Sequence, residues 1–318
     1  MGIYAVGEVI RRTRESLGMT QEELCEGICD VVTLSRIENG RNTPSRANFE
    51  LLMERMGRSG KKYLPFIRSG DIRDHLLREE LERSLRVHDY QTAEEKLHEL
   101  EESLESEDNV NYQYLLRMKV MIDSELGRGS EEEHREKLKK AIKCTIPNFS
   151  EDIMEKNVIL TEQELKIICN IAITYMEEKQ YDHSIKILKN INEYLEHVQM
   201  ENKIKILRLA LSNLSQALGR KGDYEQAMKL QLDVLKYARA ENNAGSATGL
   251  LYRIGYNLNK MQHPKKESLD FLAMAYILAE CTNNQYMMAH IRNYLKSTHR
   301  EDEWKAFTLC LGDRHSEV

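Results

Sequence analysis

The feature that most constrains the fold is a repeat with a period of 41 to 43 residues. The stretch NIAITYMEEKQYDHSIKIL (170–188) can be laid over NLSQALGRKGDYEQAMKLQ (213–231). Further copies lie at 81–97 and 255–272, and a weaker one runs from 112 to 144. Each copy has the pattern of a helix, a polar or glycine turn and a second helix. A single helix pair cannot bury both of its faces, so the copies are expected to stack on one another.

The second helix of each copy begins with a characteristic pair of positions. An aromatic residue stands near its start, as at Tyr90, Tyr181 and Tyr224. A small residue follows three positions later wherever that aromatic is present, and the small residues of the four clearest copies are Ala93, Ser184, Ala227 and Ser268. A small side chain lets two helices approach closely, and the aromatic ring fills the space beside it. We therefore predict five helix pairs, closed by a capping helix from Asn283 to Lys296.

Composition supports an all-α chain. Only 4 prolines and 16 glycines interrupt 318 residues that are rich in Ala, Leu, Glu and Lys. No apolar run approaches the roughly 20 residues needed to span a bilayer. The first residues lack a basic-then-apolar signal pattern, and Val6 replaces the Ser or Thr of a myristoylation signal, so we expect a cytoplasmic protein. The six cysteines form no C-x-x-C pair and are predicted to be reduced thiols, with neither metal nor other cofactor.

Charge separates the first 70 residues from the rest. They hold 11 Lys and Arg against 9 Asp and Glu, whereas the remainder holds 35 against 43. The acidic balance of the whole chain, -6, therefore belongs to the C-terminal part, and the small N-terminal segment is mildly basic.

Helix signals divide that basic segment into a small bundle. Val6, Ile10 and Leu17 are predicted to face inward from a first helix that Gly18 ends. The capping box T-x-x-E at 20–23 opens a second helix, with Leu24 and Ile28 inward. The third helix is expected at 31–39, capped by Asp30 and stopped by Gly40, and the fourth begins at Pro44 and Ser45. A short fifth turn at 61–67 would close the bundle. This arrangement is helix-turn-helix anatomy.

The segments that carry a family resemblance are G-x-x-I-R-x-x-R, T-Q-E-E-L, L-S-R-I-E-N-G-R and P-S, within residues 7–56. They resemble the phage-repressor (Xre) type of helix-turn-helix, except that the turn before Asp30 is one residue shorter. The resemblance implies that the third helix enters the major groove of DNA with its N-terminal residues at the base edges. It further implies an internal ion pair between Arg14 and Glu38, which ties the first helix to the third.

The same resemblance assigns a role to each polar position. Arg36 is implied to reach a guanine or a phosphate, and Gln21 a phosphate beside free backbone N–H groups. The full set of implied DNA contacts is Gln21, Val31, Val32, Thr33, Ser35, Arg36, Asn39 and Arg41. Alternatives stay open at two kinds of position. An arginine on a basic domain is often only a solvated charge, and both valines would also suit packing against the first helix.

The helix pairs resemble the tetratricopeptide repeat (TPR), with a spacing above its usual 34 residues. That resemblance implies a right-handed α-solenoid whose concave surface is lined by the first helix of each pair. Counting along the repeat, the residues expected there as peptide contacts are Arg117, Lys166, Asn170, Ile173, Asn213, Gln216, Arg220, Tyr252, Arg253 and Tyr256. Asn170 and Asn213 occupy the same repeat position, and a primary amide can hold both the C=O and the N–H of a peptide. Alternatively, these amides only bond neighbouring helices.

Together the two parts resemble the peptide-pheromone regulators of Gram-positive bacteria (the Rgg, PlcR, NprR and PrgX group). The implied domains are 1–68, the helix-turn-helix domain, and 71–300, the TPR-like domain, with a tail at 301–318. The implied function is a homodimeric transcription regulator that binds a partly palindromic double-stranded operator and a short signalling peptide. The alternative is a TPR interaction scaffold or a modulator of a partner enzyme. P-loop, G-x-G-x-x-G, H-E-x-x-H and G-x-S-x-G sequences are all absent, so we do not expect an enzyme.

Overall fold

The computed structural model describes residues 4–58, 71–104, 109–152, 159–198, 200, 203–240, 244–261, 265–298 and 300. These residues form fifteen α-helices and no strand. The predicted fifth turn at 61–67 and the tail with Trp304 and Phe307 lie outside them. None of the described helices combines the length and the apolar composition that crossing a bilayer requires.

The first four helices form the helix-turn-helix bundle, which we call the head. Their bounds are α1 Tyr4–Ser16, α2 Gln21–Cys25, α3 Val31–Glu38 and α4 Arg46–Arg55. The predicted caps are present: Thr20 and Glu23 form a capping box, and the side chains of Asp30 and Ser45 accept from the first turns of α3 and α4. Phe49 and Leu34 are fully buried in the single apolar core of the head.

One inward-facing prediction in the head is wrong, and one helix is shorter than predicted. Leu17 is 49% exposed, because α1 ends at Ser16 and Gly18, with a φ of +67°, turns the chain away. Ile28 is buried as predicted but lies beyond the end of α2, which has only five residues. Gly27 (φ +72°) causes that early end, and a Cβ there would lie 1.9 Å from the carbonyl oxygen of Thr145.

The remaining helices alternate as first and second members of pairs. Their bounds are α5 Asp71–Arg86, α6 Tyr90–Ser103, α7 Asn109–Glu125, α8 Glu131–Lys143, α9 Glu162–Glu177, α10 Tyr181–His197, α11 Lys203–Lys221, α12 Tyr224–Ala240, α13 Ala244–Lys260 and α14 Lys265–Cys281, followed by α15 Gln285–Ser297. Five pairs and a final single helix are thus present in the described chain. The all-α class, with a helix-turn-helix bundle followed by a TPR-like solenoid, is confirmed.

The small residues of the repeat explain the close packing of the pairs. Ala93, Ser184, Ala227 and Ser268 are all completely buried, each within the first turn of its helix. The chain forms two compact units, Met1–Leu207 and Arg208–Val318. In the first, successive helices from α5 to α10 pack on one another, and in the second, those from α12 to α15 do so.

Candidate functional site

The exposed face of α3 is the surface that the head offers to a partner. Leu34, Ile37 and Glu38 are buried and hold α3 in the bundle, because they fall on one side of the helix. Val32 is 58% exposed, and Arg36 and Asn39 are exposed on the same side, while Val31 is half-buried against the head core. No hydrogen bond or ion pair described for α3 joins it to the helix pairs.

Two arginines of this face have uncompensated charges. Arg36 and Arg41 are exposed, and neither forms an ion pair with any described carboxylate. By contrast, Arg12 on α1 bonds Glu8 one turn away. The backbone N–H of Arg41 donates to the carbonyl oxygen of Arg36 at 2.8 Å, so the loop after α3 keeps the two positions close together. A guanidinium without an acidic partner is available to a phosphate or a guanine.

Three other residues of the predicted DNA-contact set make bonds inside the head. The amide of Gln21 donates to Glu38 Oε2 at 2.6 Å, and that of Asn39 donates to the carbonyl oxygen of Ser35 at 2.8 Å. Thr33 Oγ1 donates to Asp30 Oδ2 at 2.7 Å and so supports the N-cap of α3. Gln21 and Thr33 therefore have structural roles, whatever else they contact.

Arg14 and Glu38 form a buried, two-pronged ion pair. Arg14 Nε donates to Glu38 Oε1 at 2.7 Å, and its Nη2 donates to Oε2 at 2.9 Å. Nη1 also donates to the carbonyl oxygen of Met19 at 2.9 Å. The hydrogen bonds that Arg14 donates to Glu38 raise the pKa of Arg14 above its ordinary value despite the opposing effect of burial. The pair fixes α3 against α1 and thereby sets the direction in which the exposed face of α3 points.

The head is also joined to the third helix pair by buried polar groups that the sequence pattern did not indicate. Arg55 Nη2 donates to Glu164 Oε1 at 3.1 Å, and Nη1 bonds the carbonyl oxygen of Glu26. Glu164 is fully buried and also accepts from Thr145 Oγ1 at 2.7 Å. Because Arg55 and Glu164 are 109 residues apart, no local spacing could have predicted this pair.

On α9, a row of partly exposed residues follows the helical period. Gln163, Lys166, Asn170 and Ile173 are half-buried and Glu177 is exposed, and all positions between them except the half-buried Tyr175 are buried. Lys166 pairs with Glu162 at 2.6 Å, and burial lowers the pKa of Lys166. The row matches the face that the repeat predicts for ligand contacts.

Arg117 does not present an exposed charge beside that row. Its side chain is buried; Nε donates to Asn170 Oδ1 at 2.9 Å and Nη1 to Gln163 Oε1 at 3.4 Å. Arg117 therefore orients two amides of the row instead of presenting its own charge. Asn170 keeps its Nδ2 without a partner in the described chain.

In the second unit, Asn213 and Arg253 are two buried or partly buried polar residues of the predicted peptide-contact set. Asn213 is 8% exposed, and its Nδ2 has no partner among the described residues. Arg253 donates to Ser212 Oγ at 2.8 Å. Burial, together with the like charge of Arg220, lowers the pKa of Arg253. Gln216 is half-buried on the same side of α11 as Asn213 and Arg220.

An aromatic cluster beside Arg253 was only partly predicted. The ring of Tyr252 lies 4.8 Å from that of His290 and 5.8 Å from that of Tyr294, and Tyr256 lies 5.3 Å from Tyr294. Tyr286 stacks on His290 at 6.0 Å. The three α15 residues were not predicted, because α15 was expected only as a capping helix. Their spacing of four residues, which places them on one face, was the available signal.

The head and the stacked pairs define a class of protein, one with a helix-turn-helix domain followed by a TPR-like solenoid. Residues 10–61 match the family model described as helix-turn-helix. Residues 80–156 and 172–262 match the model described as anaphase-promoting complex subunit 5. These two segments together cover just over half of the sequence. The chain therefore belongs, through its stacked helix pairs, to the family described as anaphase-promoting complex subunit 5. No sequence match was found among curated proteins.

Solved structures show the same fold over nearly the whole chain. PlcR of Bacillus thuringiensis, in complex with the peptide PapR7 and DNA, is 20% identical with a TM-score of 0.63, and the match covers 91% of this chain and 99% of that one. ComR of S. thermophilus, in complex with DNA and its signalling peptide ComS, is 18% identical with a TM-score of 0.51, covering 92% and 99%. ComR from Streptococcus suis is 18% identical with a TM-score of 0.50, covering 93% and 96%. The resemblance to the peptide-pheromone regulators is thus confirmed at the level of the fold.

Proposed function

We propose that this chain is a DNA-binding transcription regulator whose affinity for its operator is controlled by a short peptide. The observation that carries the proposal is the exposed face of α3, on which Arg36 and Arg41 have no acidic partner in the described chain. PlcR and ComR, which share the fold, have been crystallised with DNA and with peptides. A regulator of this kind acts on DNA in the cytoplasm and has no catalytic role.

In this proposal, Val32, Ser35 and Arg36 meet the base edges of the major groove. Arg41 and Asn39 contact the backbone after α3, and Gln21, Val31 and Thr33 complete the contact surface at its edge. The chain binds as a homodimer through its TPR-like domain, with each head on one half-site of a partly palindromic duplex. Half-sites about 34–36 Å apart, or multiples of this distance, place two reading helices in successive grooves.

The DNA half of the proposal is tested by selecting operators from a random duplex library with the full chain. Arg36→Ala should weaken binding to the selected duplex by about 1–3 kcal/mol, the value of one bidentate base contact. Arg12→Ala is the matched control, because it removes the same charge from an arginine that already pairs with Glu8. Equal affinities of the two variants for the selected duplex, and for a scrambled one, would exclude α3 as the reading helix.

The peptide half places the ligand on the first helices of the pairs. Lys166, Asn170 and Ile173 form the α9 part, with Arg117 orienting the amide of Asn170. The second-unit part consists of Asn213, Gln216, Arg220, Tyr252, Arg253 and Tyr256. The unpartnered Nδ2 of buried Asn213 supports the assignment, since a peptide carbonyl would satisfy it. Binding there would change the packing of the pairs and hence the separation of the two heads.

Asn213→Ala tests this half with heptapeptides selected from a random library on the full chain. The variant should lose binding of the selected peptide and keep DNA binding in its absence. Asn192→Ala is the control, because Asn192 lies on the second helix of its pair and bonds only Glu196, at 3.5 Å. If the selected peptide bound the Asn213 variant and the parent with equal affinity, Asn213 would not be a peptide contact.

The second candidate function is a TPR interaction scaffold in which the head has no DNA role. The same selection separates the two functions, since a scaffold would enrich no duplex sequence. The uncompensated charges of Arg36 and Arg41 favour the regulator.

A further inference from the structure

A cavity of about 210 Å³ lies where α4 of the head meets the first helices α5, α7 and α9. The cavity is open on one side, so it has room for several water molecules, for a small ligand or for one end of a longer one. The cavity is separate from the exposed face of α3. Lys205 of α11 also lines the cavity, so a ligand in it would touch the head and the first helices of four pairs.

Two buried polar atoms on the cavity wall lack partners among the described residues. One is the hydroxyl oxygen of Tyr114, whose side chain is only 6% exposed, and the other is Nε2 of Gln163. Arg78 lies over the Tyr114 ring, with its guanidinium carbon 4.2 Å from the ring centre. Buried polar groups are nearly always hydrogen-bonded in native proteins. Both atoms lie beneath the surface of the cavity wall, and a ligand that reaches them would satisfy their O–H and N–H donors with a carbonyl oxygen.

Glu54 contributes to the cavity wall a carboxyl group without a salt-bridge partner among the described residues, although Lys166 lies near enough to oppose the rise in its pKa. Its Oε2 accepts from the backbone N–H of Glu162, in the first turn of α9, at 3.1 Å. No Lys, Arg or His of the described chain is within ion-pair distance of it. Burial, and then the charge of Glu162, raise the pKa of Glu54 to about 8. Near neutral pH this carboxyl group is mostly protonated, and a cation placed beside it would favour its ionised form.

The other charged groups on the wall already have partners or compensating neighbours. On α4, Arg46 bonds Glu50 at 2.9 Å. Glu162 on α9 accepts from Lys166 at 2.6 Å and from Lys205 at 2.7 Å. Although burial raises the pKa of Glu162, these two lysines outweigh it and lower that pKa to about 2.

The charged wall residues on α5 complete the balance. They are His75, which pairs with Glu79 at 3.2 Å, together with Arg78 and Glu82. Apart from His75, the wall carries four cations and four anions when Glu54 is protonated. A single positive charge that ionises Glu54 would leave this balance unchanged, whereas an added carboxylate would not.

We propose that this cavity binds an α-aminoacyl amide, with its ammonium group beside Glu54 and its carbonyl oxygen toward Tyr114 and Gln163. The chemistry can come from a free amino-acid amide or from the N-terminal residue of a peptide. The site stands independently of the proposed DNA binding. It shares Lys166 with the proposed peptide face but does not depend on Asn213.

L-alaninamide is the probe, and N-acetyl-L-alaninamide, which lacks the ammonium group, is its control. Isothermal titration of the full chain near pH about 6.5 should show binding of the first and none of the second. In buffers of different ionisation enthalpy, the binding heat should report the release of about one proton, because Glu54 ionises when the ammonium binds. Tetra-alaninamide distinguishes the sources. Tighter binding than alaninamide assigns the site to a peptide N-terminus, and equal or weaker binding assigns it to a free amide.

Glu54→Gln should weaken alaninamide binding by about tenfold or more, since it removes the charged acceptor. The control Glu15→Gln should retain binding, because Glu15 is exposed on α1 and does not line the cavity. Asn213→Ala should also retain it, which separates this site from the proposed peptide face. Equal binding of the acetylated compound, an unaffected Glu54 variant, or no alaninamide binding at millimolar concentration would overturn the proposal. If the Glu54 variant does not fold, the absence of proton release in the parent chain would overturn it as well.

Discussion

Removing Glu38 is expected to loosen the head at the contact between α1 and α3. Its side chain is 1% exposed and accepts three hydrogen bonds, two from Arg14 and one from Gln21. In Glu38→Ala, the guanidinium of Arg14 stays in a largely buried place without its carboxylate. It keeps the carbonyl oxygen of Met19 and a looser contact with Glu15 at 3.6 Å.

The size of the effect follows from burial. Removing one member of a buried ion pair typically costs about 3–5 kcal/mol, because the other charge is left uncompensated. The bond that Arg14 keeps to Met19 places the expected loss near the lower end, at about 3 kcal/mol of head stability. Replacing both members, as in Arg14→Met with Glu38→Leu, should recover most of this loss, since neither charge then remains to be desolvated.

Native-state hydrogen exchange measures the opening free energy of the α1 and α3 amides directly in the full chain. Glu15→Ala is the matched control, because Glu15 is exposed and its ion pairs are worth at most about 1 kcal/mol. The reasoning is refuted if α1 and α3 in the Glu38 variant exchange as slowly as they do in the Glu15 variant.

Three further comparisons have expected outcomes that urea unfolding, followed by far-ultraviolet circular dichroism, can check. Ser184→Ala should raise stability by up to about 1 kcal/mol, because the buried hydroxyl of Ser184 has no partner in the described chain. Ser268→Ala should lower stability by about 1 kcal/mol, because the hydroxyl of Ser268 donates to a backbone carbonyl at 2.8 Å. Gly27→Ala should cost about 2 kcal/mol or more, since the added Cβ meets the Thr145 carbonyl and the φ is positive, while Gly18→Ala, which is strained but unobstructed, should cost about 1 kcal/mol. The folded-state pKa of Glu54, about 8, lies above its ordinary value of 4.5. The stability that protonated Glu54 contributes is therefore complete below about pH 4.5 and is lost as the pH rises through 8. Over that range, stability should fall less steeply in Glu54→Gln than in the parent.

Each of these outcomes has an opposite that would count against its cause. Equal effects of the two serine changes would show that hydrogen bonding does not separate the two sites. A Gly27 variant as stable as the Gly18 variant would show that the close approach to Thr145 adds no energetic cost. Identical pH dependence of the parent and the Glu54 variant would place Glu54 in solvent.

Local chemistry determined the secondary structure of this protein, because caps and periodicity act within a few residues. The capping boxes at Thr20 and Ser130 and the N-cap Asp30 were readable from the sequence, and all three are present. The repeat was equally readable, since the small residue at each helix contact must recur wherever a pair recurs. Leu17 was misassigned because its apolar character continues the helical period past the point where Gly18 ends the helix.

Tertiary structure decided the partners and the burial of charged groups, which no local sequence pattern indicates. The pair of Arg55 with Glu164 joins residues far apart in sequence, and each appears in its own segment as an ordinary surface charge. The same is true of Glu54, whose raised pKa comes from the helices that bury it. Arg117 was expected to face a ligand, but the structure turns it toward Asn170. Sequence thus determined which helices form and which faces are apolar, because those depend on neighbours along the chain. Desolvation and the partners of the charged groups were decided only by the packing of distant helices, because both depend on what lies across space.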